Sequence, residues 1–145
     1  MKKILLLLAN GFEMYEAGAF IDVIGWNKTY GTKDTELVTC GLFKNIKSTF
    51  DIKINVDFTI DEIKPNEFVA LGISGVLQGK NATTYNLMSV KRQKRLKAFG
   101  ARIINEPIVE DANIITSWSP VTAIDVAFRL LEHLTDKNIQ IIFER

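Results

Sequence analysis

Cysteine and histidine are almost absent from this chain, with one of each in 145 residues, Cys40 and His133. A single cysteine excludes an internal disulfide, and one cysteine with one histidine excludes the usual zinc ligand sets. Charge imbalance is absent too. Lys+Arg is 18 and Asp+Glu is 17, a formal net charge of +1, so no global field draws the chain to nucleic acid or to a membrane surface. Neither GxGxxG nor GxxxxGK[ST] occurs, so no glycine-rich phosphate loop is present. Long apolar runs are missing as well. Residues 4–9 follow Met1-Lys2-Lys3 in the manner of a weak signal peptide. That run is too short, and Asn10-Gly11-Phe12-Glu13 follows it instead of a small-residue cleavage site. No other stretch is long enough for a bilayer. These absences predict a cytoplasmic protein with no metal, no nucleic-acid partner and no membrane partner. In such a protein the glycosylation sequons at Asn27 and Asn81 carry no meaning.

What is present is an ordinary globular balance, 47% hydrophobic and 24% charged. The length suits one domain over residues 1–145. Residues 3–8 read as a buried parallel strand, apolar on both faces. Residues 13–29 read as a helix with Ala17, Phe20, Ile21 and Ile24 on one apolar face, and Gly31 as its stop. Residues 36–39 form a second strand, broken by Gly41. Residues 46–48 and 53–56 form a short hairpin. A turn with a helical turn over 57–63 precedes a strand at 68–71. Further strands are expected at 81–84, 102–104 and 113–117, with a helix over 90–99 capped by Ser89 and closed by Gly100. Ser119-Pro120 then opens the clearest helix, striped by Ala123, Val126, Ala127, Leu130, Leu131 and Leu134. Strands alternating with helices imply a mostly parallel sheet covered on both faces.

Ligands in open α/β sheets bind beyond the carboxyl ends of the strands. The loop over 10–16 is therefore the first candidate, with Glu13 and Glu16 as its carboxylates. From residue type alone they read first as first-turn acids favoured by the helix dipole, and only second as site groups. Cys40 ends a strand and reads as a small buried apolar residue. His133 lies late in the last helix and reads as a surface residue, so no Cys–His pair is expected. Residues 91–97 (KRQKRLK) are the one basic cluster and read as the solvated face of a helix. Tyr85 and Trp118 are candidate pocket aromatics, core packing being the ordinary alternative.

Four segments carry a family resemblance. Residues 3–22 (KILLLLANGFEMYEAGAFID), 37–42 (LVTCGL), 81–86 (NATTYN) and 114–127 (IITSWSPVTAIDVA) resemble, in order and spacing, the ThiJ/PfpI family. That family includes the parkinsonism-associated deglycases and the intracellular protease/amidase-like bacterial proteins. The resemblance implies a flavodoxin-like three-layer α/β sandwich with a mostly parallel sheet. It implies a homodimer without metal or organic cofactor. Its activity would be that of a cysteine-dependent hydrolase/amidase, glyoxalase or deglycase on small substrates, or of an oxidation sensor. Glu16 matches the glutamate that contacts the family's catalytic cysteine and tunes its thiol. Tyr85 stands where several relatives place a histidine, which removes the basis for a histidine-assisted mechanism. Tyr85 and Trp118 are the expected substrate-binding residues.

The chain departs from the family in its middle. There the strand matching residues 68–71 runs into a Pro-Gly-Gly loop, a helix and another strand, which ends in the elbow that presents the cysteine. Here residues 72–77 (GISGVL), which resemble the segment after the elbow helix, follow at once. A βαβ step of roughly 30–50 residues is missing, and Cys40 does not match the nucleophile position. The core-like patterning on both sides of the junction favours a protein in which that step is present over one that has lost it. Without it, no thiol catalysis is expected. The alternative function is a non-catalytic binding or interaction protein on the same scaffold.

Overall fold

The computed structural model describes residues 1–68, 78–84, 90–98 and 100–135. Two compact units share the chain: Met1–Gly72 with Leu131–Arg145, and Ile73–Leu130.

The first unit is built on β1 (Lys2–Leu8) and β2 (Thr35–Gly41), joined through helix α1 (Met14–Tyr30). The two strands are parallel and paired from Lys2↔Thr35 to Leu8↔Gly41. A short strand β5 (Phe58–Thr59) continues the parallel sheet beside Cys40 and Gly41. Side chains alternate along β1. Leu8, with Leu6 packed beside it, joins Ala17 of α1 and Ile46 and Val56 of the hairpin region. Leu5 joins Val38 and Cys40, against which Ile63 and Phe68 pack. Leu7 shares the Leu5 face and is 38% exposed. The expected hairpin is present as β3 (Asn45–Lys47) and β4 (Lys53–Asn55), with Ile46 opposite Ile54.

The expected face of α1 is corrected in part. Ala17 and Ile24 are buried, but Ala19, Val23 and Asn27 complete the buried set while Ile21 is 39% exposed. The helix is apolar around much of its circumference, so periodicity alone does not fix which arc turns inward. The segment over 57–63 holds β5 followed by a 3-10 turn, Ile60–Glu62, boxed by Thr59 and Glu62. Of the strand expected at 68–71, only Phe68 lies within the described residues, and it is not in a strand.

In the second unit β6 (Asn81–Ala82) pairs in parallel with β7 (Arg102–Ile103). Helix α2 (Val90–Ala98) lies between them in sequence, and Gly100 beyond it takes φ +81. Ser89, the expected cap, lies outside the described residues. Strand β8 (Ile108–Asp111), absent from the sequence expectation, forms an antiparallel hairpin with β9 (Ile114–Ser117). A 3-10 turn, Pro120–Thr122, leads into α3 (Ala123–Thr135), whose residues from Leu131 on belong to the first unit. Of the stripe read from its periodicity, Ala123, Val126, Ala127 and Leu131 are buried, while Leu130 and Leu134 are half-buried.

Candidate functional site at the first strand–helix loop

The loop from β1 to α1 begins at the carboxyl end of a parallel strand. Gly11 takes φ +82, a conformation that glycine adopts without a Cβ penalty. Phe12 N–H donates to Ala9 O at 3.1 Å and closes the turn. The β3–β4 hairpin then fastens the loop. Gly11 N–H donates to Lys47 O at 2.8 Å, and Thr49 N–H to Phe12 O at 3.0 Å. The Asn10 side-chain oxygen accepts from Lys47 N–H at 2.9 Å. The Thr49 hydroxyl lies 3.0 Å from Gly11 O, 3.2 Å from Phe12 O and 2.9 Å from Glu13 Oε1. It has one proton, so these three acceptors share a single donor.

Glu13 is the N-cap residue of α1, half-buried, with extended backbone angles and no side-chain cap bond to the helix. Its carboxylate turns to Thr49 instead. Glu16 lies in the first turn of α1 and is exposed. Both acids therefore stand at the positive end of the helix dipole, and both belong to the loop that the sequence nominated. The parts that sequence reasoning missed are Thr49 and the Asn10 side chain. The Asn10-Gly11 pair, a common turn dipeptide, marked the turn but not its partner.

Cys40 is fully buried at 0% exposure. Burial raises its thiol pKa above the ordinary value, and the charge of Glu62 adds to the rise. That is the setting of an inert core thiol rather than a nucleophile. His133 is exposed on the last turn of α3. Trp118 is half-buried just past β9, where its backbone N–H donates to Pro107 O at 3.1 Å. Tyr85 lies outside the described residues. Among the described residues no cluster of three or more histidine, cysteine or acidic side chains is placed to hold a metal ion. No described helix is long and apolar enough to cross a membrane.

The DJ-1/PfpI family model matches residues 69–133. The match starts beyond the first loop, so Glu16 lies outside it. No curated protein sequence matches the chain. Among solved structures, DJ-1 of Schizosaccharomyces pombe is similar, with 18% identity, TM-score 0.73, and coverage of 94% of this chain and 93% of that one. DJ-1beta of Drosophila melanogaster shows 21% identity and TM-score 0.74 over 94% of this chain and 91% of its own. A ThiJ/PfpI domain protein of Brachyspira murdochii shows 14% identity and TM-score 0.74, covering 94% of this chain and 98% of that one. These likenesses establish the fold as the flavodoxin-like α/β architecture.

Proposed function

We propose that this chain is a DJ-1/PfpI-type protein, a reading supported by the family model over residues 69–133 and by the shared fold, and that in its 145-residue form it is a binding or interaction protein rather than a thiol enzyme. The observation that carries the proposal is the state of Cys40. The only thiol in the sequence is fully buried, with a raised pKa. A nucleophilic cysteine needs access and a depressed pKa or an adjacent base. Two further positions support the reading. Leu7, near the carboxyl end of β1, and Glu16 are both exposed, and an elbow segment packed over this strand end would cover them. The partner is taken to be a second copy of the chain, as the family resemblance implies, with a small molecule as a further ligand.

A specific feature favours a second reading for any form of the protein that carries the elbow segment. The first loop keeps a glutamate in the first helical turn on a backbone pinned by the hairpin. In such a form Glu16 would sit beside the added thiol and tune it, while Trp118 and Tyr85 would line the substrate side. The chemistry would then be thiol-dependent turnover of small carbonyl or amide compounds, or reversible oxidation.

Intact mass, free-thiol count and methylglyoxal turnover separate the two. The first reading predicts 16.4 kDa, one thiol that a thiol reagent reaches only after unfolding, and no turnover. A stable dimer without turnover adds support. A mass larger by about 3–6 kDa, the size of a βαβ step, with an extra reactive thiol overturns it. So does turnover abolished by alkylation and retained in Cys40→Ser.

A further inference from the structure

The near-neutral total conceals a segregation of charge along the chain. Residues 68–105 contain seven lysines and arginines and not one aspartate or glutamate. Five of the seven fall on α2. Arg92, Lys94, Arg95 and Lys97 are exposed, while Gln93 and Leu96 are half-buried. At 3.6 residues per turn these four cations span more than half of the helix circumference, and Gln93 and Leu96 occupy the remaining arc. Lys80 is paired with Asp111 at 3.8 Å. Lys94, Arg95 and Lys97 have no such partner among the described residues. Arg95 and Lys97 lie in the last turn, where the helix dipole favours them. The dipole accounts for two cations at that end and not for a run of five.

We propose that the basic face of α2 docks on the phosphate backbone of a nucleic acid. Charge complementarity favours this partner: Lys94, Arg95 and Lys97, without a described ion pair and in a stretch of sequence that holds no acid, gain from a polyanion because each phosphate they neutralise releases a condensed counterion. A membrane surface fits less well. Helices that lie in the interface bury an apolar face, and no large apolar side chain described on α2 is exposed. Contact through the backbone alone carries no base specificity. This reverses the expectation drawn from the net charge, because the relevant quantity is the local field and not the total.

The test uses the full chain and a labelled mixed-sequence 20-base-pair DNA duplex, read by fluorescence anisotropy. Three contacted phosphates predict a slope of about −2.7 in log K against log salt, so affinity falls about 40-fold between 50 and 200 mM salt. The triple variant K94Q/R95Q/K97Q is expected to weaken binding at 50 mM salt at least tenfold and to flatten the slope. Glutamine keeps the helix propensity, and circular dichroism confirms the fold. A control of equal charge change, K28Q/K53Q/K64Q, is expected to bind within twofold of the parent. The proposal is overturned by absent or salt-insensitive binding, or by equal loss in both triples. Binding to phosphatidylserine vesicles but not to the duplex also overturns it.

Discussion

Asn27 sits near the end of α1 with 3% of its surface exposed, and both ends of its amide are used. Its NH2 group lies 2.8 Å from the Thr35 hydroxyl and 3.1 Å from that of Thr32, and its Oδ1 accepts from Thr32 N–H at 3.0 Å. The Asn27 carbonyl accepts from Gly31 and Lys33 N–H as well. One side chain thus joins the helix end to the start of β2. The sequence displays this residue as a glycosylation sequon, and the burial of its amide excludes that role in the folded chain. Nothing local announces a buried asparagine, because its partners are recruited only when the chain turns back at 31–35. Gly31 is part of the same arrangement. Its φ of −102 is not a left-handed one, so the need for glycine comes from space: a Cβ there would collide with Asn27 Oδ1. Asn27→Ala is expected to cost about 1–3 kcal/mol, since it strands a fully buried Thr35 hydroxyl. For a domain of this size that lowers Tm by about 2–4 °C per kcal/mol. Gly31→Ala should destabilise the parent but much less the Asn27→Ala variant, where the clashing oxygen is gone. Strictly additive losses in the double-mutant cycle would refute the shared contact.

At the scale of elements, legibility follows the strength of the pattern. The stripe of α3 was readable because Val126, Ala127, Leu130 and Leu131 stand against polar neighbours. The inward arc of α1 was not, because Ile21, Val23 and Ile24 are apolar on both sides of it. Strand β8 escaped for a different reason. Its hairpin turns through Ala112 and Asn113, with Asp111 paired to Ile114. The first central residue of that turn has φ +56, where glycine is the customary choice in a two-residue hairpin. An alanine there hides the turn and strains it. Left-handed backbone costs a non-glycine residue about 1–2 kcal/mol, and glycine returns about 0.4–1 kcal/mol of that through greater unfolded-state freedom. Ala112→Gly should therefore raise the urea midpoint by the equivalent of roughly 0.5–1 kcal/mol, with an unchanged m-value. Ala112→Val should lower it. A midpoint reduced by glycine would mean that the alanine is not strained.

For the whole molecule, the first loop was located from sequence by the rule for strand carboxyl ends, and both of its carboxylates were named. Its attachment was invisible, because Thr49 and Glu13 are 36 residues apart and nothing in either short segment specifies the other. The same long-range logic sets the pH response. Asp34 is held below the usual carboxylate range first by the Thr32 hydroxyl, with Asn27 and Lys2 assisting. Asp57 is held there by the Thr39 hydroxyl and then its N–H, at 2.7 and 2.8 Å. Glu62 is held there by the N–H and then the hydroxyl of Thr59. Each group keeps its proton less readily folded than unfolded, where acids titrate near about 3.9–4.3. Near and below those values the unfolded chain takes up more protons, so stability falls with falling pH. The contribution is complete above about pH 5 and is lost as pH drops through the depressed folded values. The triple variant D34N/D57N/E62Q should accordingly be less stable than the parent at pH 7 and lose less on acidification to pH 3, so that the two urea midpoints converge. Amides still accept some of the hydrogen bonds, so the variant retains the fold and the comparison remains readable. Parallel acid limbs in the two proteins would show that other groups govern acid unfolding, and that these three hydrogen-bonded carboxylates are no more stabilised in the folded chain than in the unfolded one.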